Sequence, residues 1–305
     1  MRVTPTVRTL LDKYDGERPG VKASLARLLM HGATAGSGRM VILPVDQGFE
    51  HGPARSFAHN PEAYDPHYLF ELAIEAEVSA FAAPLGLLAA GADAFAGSVP
   101  LILKANSANS LGTEKDEAIT GTAQDALELG CSAIGYTIYP GSDRQYDMFE
   151  EVRAGAAEAR ESGLAVVVWA YPRGGLLSHA GETALDVVAY GAQIAAQLGA
   201  HIIKVKLPSD HIEMPDAKPI YAGIDADFGR LEQRVAHVVQ SAFAGRRIVV
   251  FSGGAAKDSA TVMAEARAIV AGGGQGSIIG RNSFQRPRDE AVKLLRDLAA
   301  IYAGA

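Results

Sequence analysis

The chain has 305 residues, of which 48% are hydrophobic and 21% charged, with a formal net charge of −7. This balance is ordinary for a soluble globular protein and argues against a nucleic-acid partner, so local basic residues must do any anion binding. The single cysteine, Cys131, excludes an internal disulfide, no Cys/His spacing suggests a metal site, and no apolar run reaches the roughly 18 residues of a membrane span.

The N-terminal Met-Arg-Val-Thr-Pro-Thr-Val-Arg lacks the apolar core of a signal peptide, and a cytoplasmic location is expected. Residues 1–39 read as an extension, with one short helix from Val21 to Met30 ending in the Gly/Ser-rich stretch 31–38. This extension either caps the bottom of the following domain or packs on a neighbouring subunit. From residue 40 to 305 a strand pattern followed by a helix pattern recurs eight times.

The first strand, Met40–Asp46, leads through an acidic loop to a helix from Pro66 to Glu77. The second, Ala80–Pro84, is followed by a helix Leu85–Phe95, and the third, Pro100–Ala105, by a long polar loop and a helix Thr120–Leu129. The fourth, Ala133–Tyr139, precedes a helix Ser142–Ser162 with Ser142 as its expected N-cap. The fifth, Ala165–Tyr171, runs through Pro-Arg-Gly-Gly to a helix Ala184–Leu198. The sixth is Ile202–Leu207, and a loop at 208–227 joins it to a helix Phe228–Phe243. Such length inside a compact domain points to function. The seventh strand, Ile248–Phe251, is followed by a helix Ser259–Ala271, and the eighth, Ser277–Ile279, by a helix Arg288–Tyr302.

Continuous apolar strands are those of a parallel sheet covered on both faces, and eight repeats of one unit predict a (β/α)8 TIM barrel with an N-terminal helical extension. An open doubly wound sheet is the alternative, but it carries a Gly-rich turn after its first strand, whereas the glycines here cluster after the seventh and eighth.

Active sites of such barrels lie at the C-terminal ends of the strands. Asp46, Lys104, Trp169, Tyr171, Lys204 and Lys206 are the reactive residues at those positions. Strand side chains alternate between faces, so Lys204 and Lys206 share one face, as do Trp169 and Tyr171 on the neighbouring strand. Two close cations depress each other's pKa and burial depresses it further, which yields a neutral amine nucleophile near pH 7. Spacing alone does not choose between Lys204 and Lys206. A lysine Schiff base withdraws electrons for carbon–carbon cleavage and needs a general acid/base, a role open to Tyr171. A core tyrosine with a satisfied hydroxyl is the bland reading of the same residue. Asp46 either contacts substrate hydroxyls or an active-site lysine, or only closes an Asx-turn. Glu50 and His51 nearby carry little weight. Ser252-Gly253-Gly254 after the seventh strand and Gly280-Arg281-Asn282 after the eighth occupy the recurrent phosphate positions of this fold. Arg173 is placed to reach a second anionic group.

Val-Asp-Gln-Gly-Phe-Glu-His-Gly-Pro, Trp-Ala-Tyr-Pro-Arg-Gly-Gly, Ile-Ile-Lys-Val-Lys, Phe-Ser-Gly-Gly and Ile-Gly-Arg-Asn, collinear over about 40–302, resemble the archaeal-type class I fructose-bisphosphate aldolases of the DhnA-type group. The resemblance implies a barrel without metal or cofactor. It also implies reversible cleavage of fructose 1,6-bisphosphate to dihydroxyacetone phosphate and glyceraldehyde 3-phosphate, a glycolytic and gluconeogenic step. Carried over by motif, Lys204 matches the Schiff-base lysine, Tyr171 the proton-transfer tyrosine and Asp46 the first-strand aspartate. Trp169 matches the pocket beside Tyr171, and Ser252, Gly253, Gly254, Gly280 and Arg281 match the phosphate loops. Arg173, Lys104 and Lys206 join the expected substrate contacts. Many relatives have Asp-His-Gly where this chain has Asp46-Gln47-Gly48. Large rings, often decamers, are usual in the family, so a homo-oligomer is expected. The alternatives are a related lyase or transferase (a heptulosonate synthase or a signal-degrading thiolase) and a non-catalytic sugar-phosphate binding barrel.

Overall fold

Alternation along each strand sorts the apolar residues into two separate cores. Ile42, Ala82, Ile102, Ala133, Val167, Ile202, Val250 and Ile278 face inward and fill the barrel, while Leu43, Phe81, Leu103, Ile134, Val168, Ile203 and Phe251 face outward under the helices. The computed structural model describes residues 2–253 and 257–304. Its strands are β1 (Met40–Pro44), β2 (Ala80–Pro84), β3 (Leu101–Lys104), β4 (Asn106–Ser107), β5 (Ala118–Ile119), β6 (Ala133–Ile138), β7 (Ala165–Ala170), β8 (Ile202–Lys206), β9 (Ile248–Ser252) and β10 (Gly276–Ile278). Every strand but β4 and β5 belongs to a closed parallel barrel, in the order β1-β10-β9-β8-β7-β6-β3-β2. Closure of β10 on β1 removes the open-sheet alternative. Gly276 lets the last strand approach β1, because its φ is +129° and a Cβ there would lie 1.9 Å from the Met40 carbonyl oxygen.

The extension holds two helices, not the one expected: Pro5–Asp12 and Pro19–Leu29. The Thr4 side chain caps the first by accepting from the Val7 N–H. Together they seal the bottom of the barrel. Val21, Leu25, Leu28 and Leu29 are fully buried and continue the inner core, each contributing about 1.5–3 kcal/mol by leaving water. The Tyr14 hydroxyl donates to the His201 carbonyl at 2.6 Å and accepts from the Ile248 N–H at 3.0 Å.

Most helices end short of their sequence-based bounds. The helix after β2 covers only Leu85–Ala89, that after β3 Ala123–Glu128 with Thr122 as cap, and that after β8 Leu231–Ser241. The helix after β6 is Gln145–Glu161, and Ser142 does not cap it. The Ser142 hydroxyl instead donates to the Lys115 carbonyl and accepts from the Arg144 N–H, closing a turn upstream. Two expected loops carry structure: the small hairpin β4–β5 follows β3, and a helix Lys218–Ala222 interrupts 208–227. No described helix is long and apolar enough to cross a membrane.

Candidate active site

A cavity of about 630 Å³ opens at the C-terminal end of the barrel. Asp46, Tyr171, Arg173, Lys204, Lys206, Ser252, Gly253, Gly280 and Arg281 all line it, so most of the residues singled out from sequence converge there. Parity explains this. Lys204 continues the inward row of Ile202, Tyr171 that of Val167 and Trp169, and Asp46 that of Met40 and Ile42.

Lys204 is 4% exposed. Its Nζ lies 5.1 Å from the Tyr171 ring centre and 5.4 Å from the Trp169 ring. Burial pulls its pKa from 10.5 down to about 8, against the attraction of Asp46 and Glu50 and with the help of Arg281. The cation assisting the shift is therefore Arg281 across the cavity. The expected partner, Lys206, is bound by its own counter-ion, Glu182 Oε2, at 2.8 Å. Both lysines do share the cavity face.

The first strand stops at Pro44, two residues short of its expected end, and Asp46 lies just beyond it, preceding the short helix Gln47–His51 without capping it through its side chain. It is 6% exposed, and its Oδ1 meets no hydrogen-bond partner among the described residues. The carboxylate is thus spare from local turn work. Glu50, half-buried on the same helix, is raised to about 7 by burial and by repulsion from Asp46, partly offset by Lys104. Ser252 stands beside the Tyr171 hydroxyl and favours its ionised form. Burial, then Asp46 and Glu50, push its phenol well above the ordinary value, so it holds its proton until a stronger base or a substrate alkoxide competes.

Trp169 lies under the lysine, 1% exposed, and Gly135 makes room for it: a Cβ there would fall 2.0 Å from Trp169 Cζ3. At the other rim, added Cβ atoms would press Gly253 onto Ile279 at 2.7 Å and Gly280 onto the Pro44 carbonyl oxygen at 2.8 Å. Gly253 lets the loop after β9 pack on the residues after β10, Gly280 lets those residues pack on the end of β1, and Arg281 is left at the cavity edge. Gly254, also expected here, lies outside the described residues.

Lys104 is not among the residues lining the cavity. Its side chain is 2% exposed, and its ammonium is held by Asn106 Oδ1 at 3.0 Å and Glu117 Oε2 at 3.3 Å. Gln47, Tyr139 and Glu182 line the site without having been candidates, as do Glu50, which was given little weight, and Asn282, which was named only within the triplet after the eighth strand. Tyr139 ends the fourth predicted strand, so the rule that selected Tyr171 also reached it. Glu182 stands in a loop with no such marker. No group of three or more His, Cys, Asp or Glu placed to hold a metal occurs among the described residues.

The signature of the DeoC/LacD family aldolases matches residues 40–286. The chain is 36% identical over 269 residues to the class 1 fructose-bisphosphate aldolase of Thermoproteus tenax, covering 88% of this chain and 90% of that protein. The crystal structure of an archaeal fructose 1,6-bisphosphate aldolase superimposes with a TM-score of 0.75 at 35% identity, covering 88% of this chain and 95% of that one. An archaeal fructose-1,6-bisphosphate aldolase whose catalytic lysine is covalently bound to the carbinolamine intermediate superimposes with a TM-score of 0.73 at 35% identity, covering 88% and 95%.

Proposed function

The chain belongs to the DeoC/LacD family of aldolases, and from that premise we propose that it is a Schiff-base, class I fructose-bisphosphate aldolase. It would reversibly cleave fructose 1,6-bisphosphate to dihydroxyacetone phosphate and glyceraldehyde 3-phosphate. The observation that carries the reading is Lys204: a desolvated amine with a pKa of about 8 among two carboxylates, a phenol and an arginine. Such an amine is neutral often enough near pH 7 to attack a ketone.

In this reading Lys204 Nζ adds to the C2 carbonyl, and loss of water from the carbinolamine gives the protonated imine. The imine draws electrons as the C3–C4 bond breaks. Tyr171 takes part in moving the C4 hydroxyl proton, and the aldehyde leaves. The remaining enamine is protonated at C3, and water releases the ketone phosphate and the amine. Asp46 accepts from substrate hydroxyls and stabilises the ammonium and iminium forms. Trp169 is the floor under the imine. Ser252, Gly253, Gly280 and Arg281 receive the phosphate beside the ketone carbon, through backbone N–H groups and a guanidinium fork. Arg173 serves the distal end, and Lys206 with Glu182 forms the wall between β8 and the preceding loop.

The reading also includes a homo-oligomer in the cytoplasm. Tyr146, Leu176 and Tyr190 are 72%, 103% and 63% exposed along one groove outside the barrel, which supports self-association. Light scattering decides that part.

The deciding experiment is turnover of fructose 1,6-bisphosphate in EDTA, followed by borohydride reduction in dihydroxyacetone phosphate and mapping of the adduct. Turnover with the adduct on Lys204, and neither activity nor adduct in Lys204→Met, is expected. Activity lost to EDTA, or an adduct on another lysine, defeats the proposal.

A further inference from the structure

A buried charge network reaches the cavity wall through Tyr139. Lys104 and Glu117 form an ion pair whose side chains are 2% and 0% exposed. Asn106 pins the lysine and is itself fixed to β6, accepting from the Thr137 N–H at 2.7 Å and donating to the Thr137 carbonyl at 2.8 Å. The other Glu117 oxygen accepts the Tyr139 hydroxyl. Tyr139 is 5% exposed, and its ring carries the Arg173 guanidinium on its face, 4.5 Å from the ring centre. The Arg173 N–H donates to the Pro140 carbonyl at 3.0 Å, which anchors the arginine's backbone beside the same tyrosine.

A buried ion pair is a poor way to add stability, because desolvation offsets most of its attraction. Its effect here is directional. It fixes a phenol at one angle, and the phenol's face fixes a cation. Arg173 Nε has no hydrogen-bond partner among the described residues, so donor capacity is left in a guanidinium that lines the cavity. Arg281 lines the same cavity, so it carries two arginines.

We infer that Glu117 and Tyr139 are positioning residues: they fix the angle at which Arg173 meets the distal anionic group of the substrate. The inference rests on the aldolase reading for its first phosphate, at Gly280 and Arg281.

The test compares KM for fructose 1,6-bisphosphate with KM for fructose 1-phosphate. In Tyr139→Leu the bisphosphate-to-monophosphate KM ratio should rise about 10-fold, the size of a desolvated cation–π contact. Tyr139→Phe keeps the ring but releases Glu117, and its ratio should rise less, about 3-fold, the size of one hydrogen bond. A merely structural role would change both substrates alike, so an unchanged ratio in folded Tyr139→Phe overturns the inference even where Tyr139→Leu does not fold. If the wild type does not turn over fructose 1,6-bisphosphate, the aldolase reading fails by itself. Calorimetry with hexitol 1,6-bisphosphate and hexitol 1-phosphate then decides the positioning role. Selective weakening of the bisphosphate by Tyr139→Phe supports it, and equal weakening overturns it.

Discussion

Trp169 on β7 is the register partner of Lys204 on β8, and the indole stands 5.4 Å from the lysine nitrogen. A neutral or cationic amine on an aromatic face is attracted to it but receives no hydrogen bond, so the ring orients Lys204 without tying up the lone pair that must attack. The indole in turn depends on Gly135, the residue with the space its edge occupies.

Gly135→Ala should therefore act on catalysis through packing. A methyl group 2.0 Å from Trp169 Cζ3 forces the ring to move, since the backbone of a barrel strand cannot. Overpacking of this kind costs about 1–3 kcal/mol. The expected result is a lower Tm together with a lower kcat. A variant with wild-type kcat would show that the indole's position does not govern Lys204.

Tyr171→Phe should slow cleavage by roughly 10²–10⁴, the usual worth of a general acid/base. Borohydride trapping should still mark Lys204, because the variant keeps the amine. Full activity in this variant would remove Tyr171 from proton transfer and leave it a core tyrosine.

The pH dependence of imine formation follows from the causes acting on Lys204. Only the neutral amine attacks, so the trapping rate should rise as pH climbs through about 8. Glu50 raises that pKa by attraction, and Glu50→Gln should move the midpoint to lower pH. Arg281 lowers it by repulsion, and Arg281→Gln should move the midpoint up when the ketone phosphate is saturating. Trapping rates against pH for the three proteins check both signs. Shifts in one common direction would mean that neither charge acts on this amine.

The barrel was legible because its strands are short apolar runs, and the lysine because two charges interrupt one of those runs. What escaped was everything that depends on partners far along the chain. Lys104 passes the same filter as Lys204, yet Glu117, 13 residues on in a polar loop, captures it below the cavity. Lys206 passes as well, and Glu182, 24 residues earlier, neutralises it. Parity says which way a side chain points, but not which counter-ion waits there. Helix ends escaped for a local reason. Ser142 has the chemistry of a cap but is spent on the Lys115 carbonyl, so the helix starts later, at Gln145.

The bottom seal should make the fold acid-labile in two steps. His201 is buried, with Nδ1 accepting from the Val166 N–H at 2.9 Å and Nε2 at 3.3 Å from Glu17. Burial lowers its pKa below the ordinary 6.5, so the unfolded chain takes up this proton first. Stability tied to His201 is therefore present above pH 6.5 and falls as pH drops below it. Glu17 is lowered from 4.5 to about 2, first by the hydrogen bond from His201 and then, against burial, by Arg160. Its share is present above pH 4.5 and is lost as pH falls toward about 2. The Tm of the wild type should exceed that of Glu17→Gln above pH 4.5, and the gap should close on the way to 2. Tyr14→Phe removes the hydroxyl that bridges the His201 carbonyl and the Ile248 N–H, leaving only their mutual bond of 3.2 Å, and should cost about 0.5–1.5 kcal/mol at every pH. A gap between wild type and Glu17→Gln that does not narrow with acid would show that the carboxylate is not what ties the extension to β8.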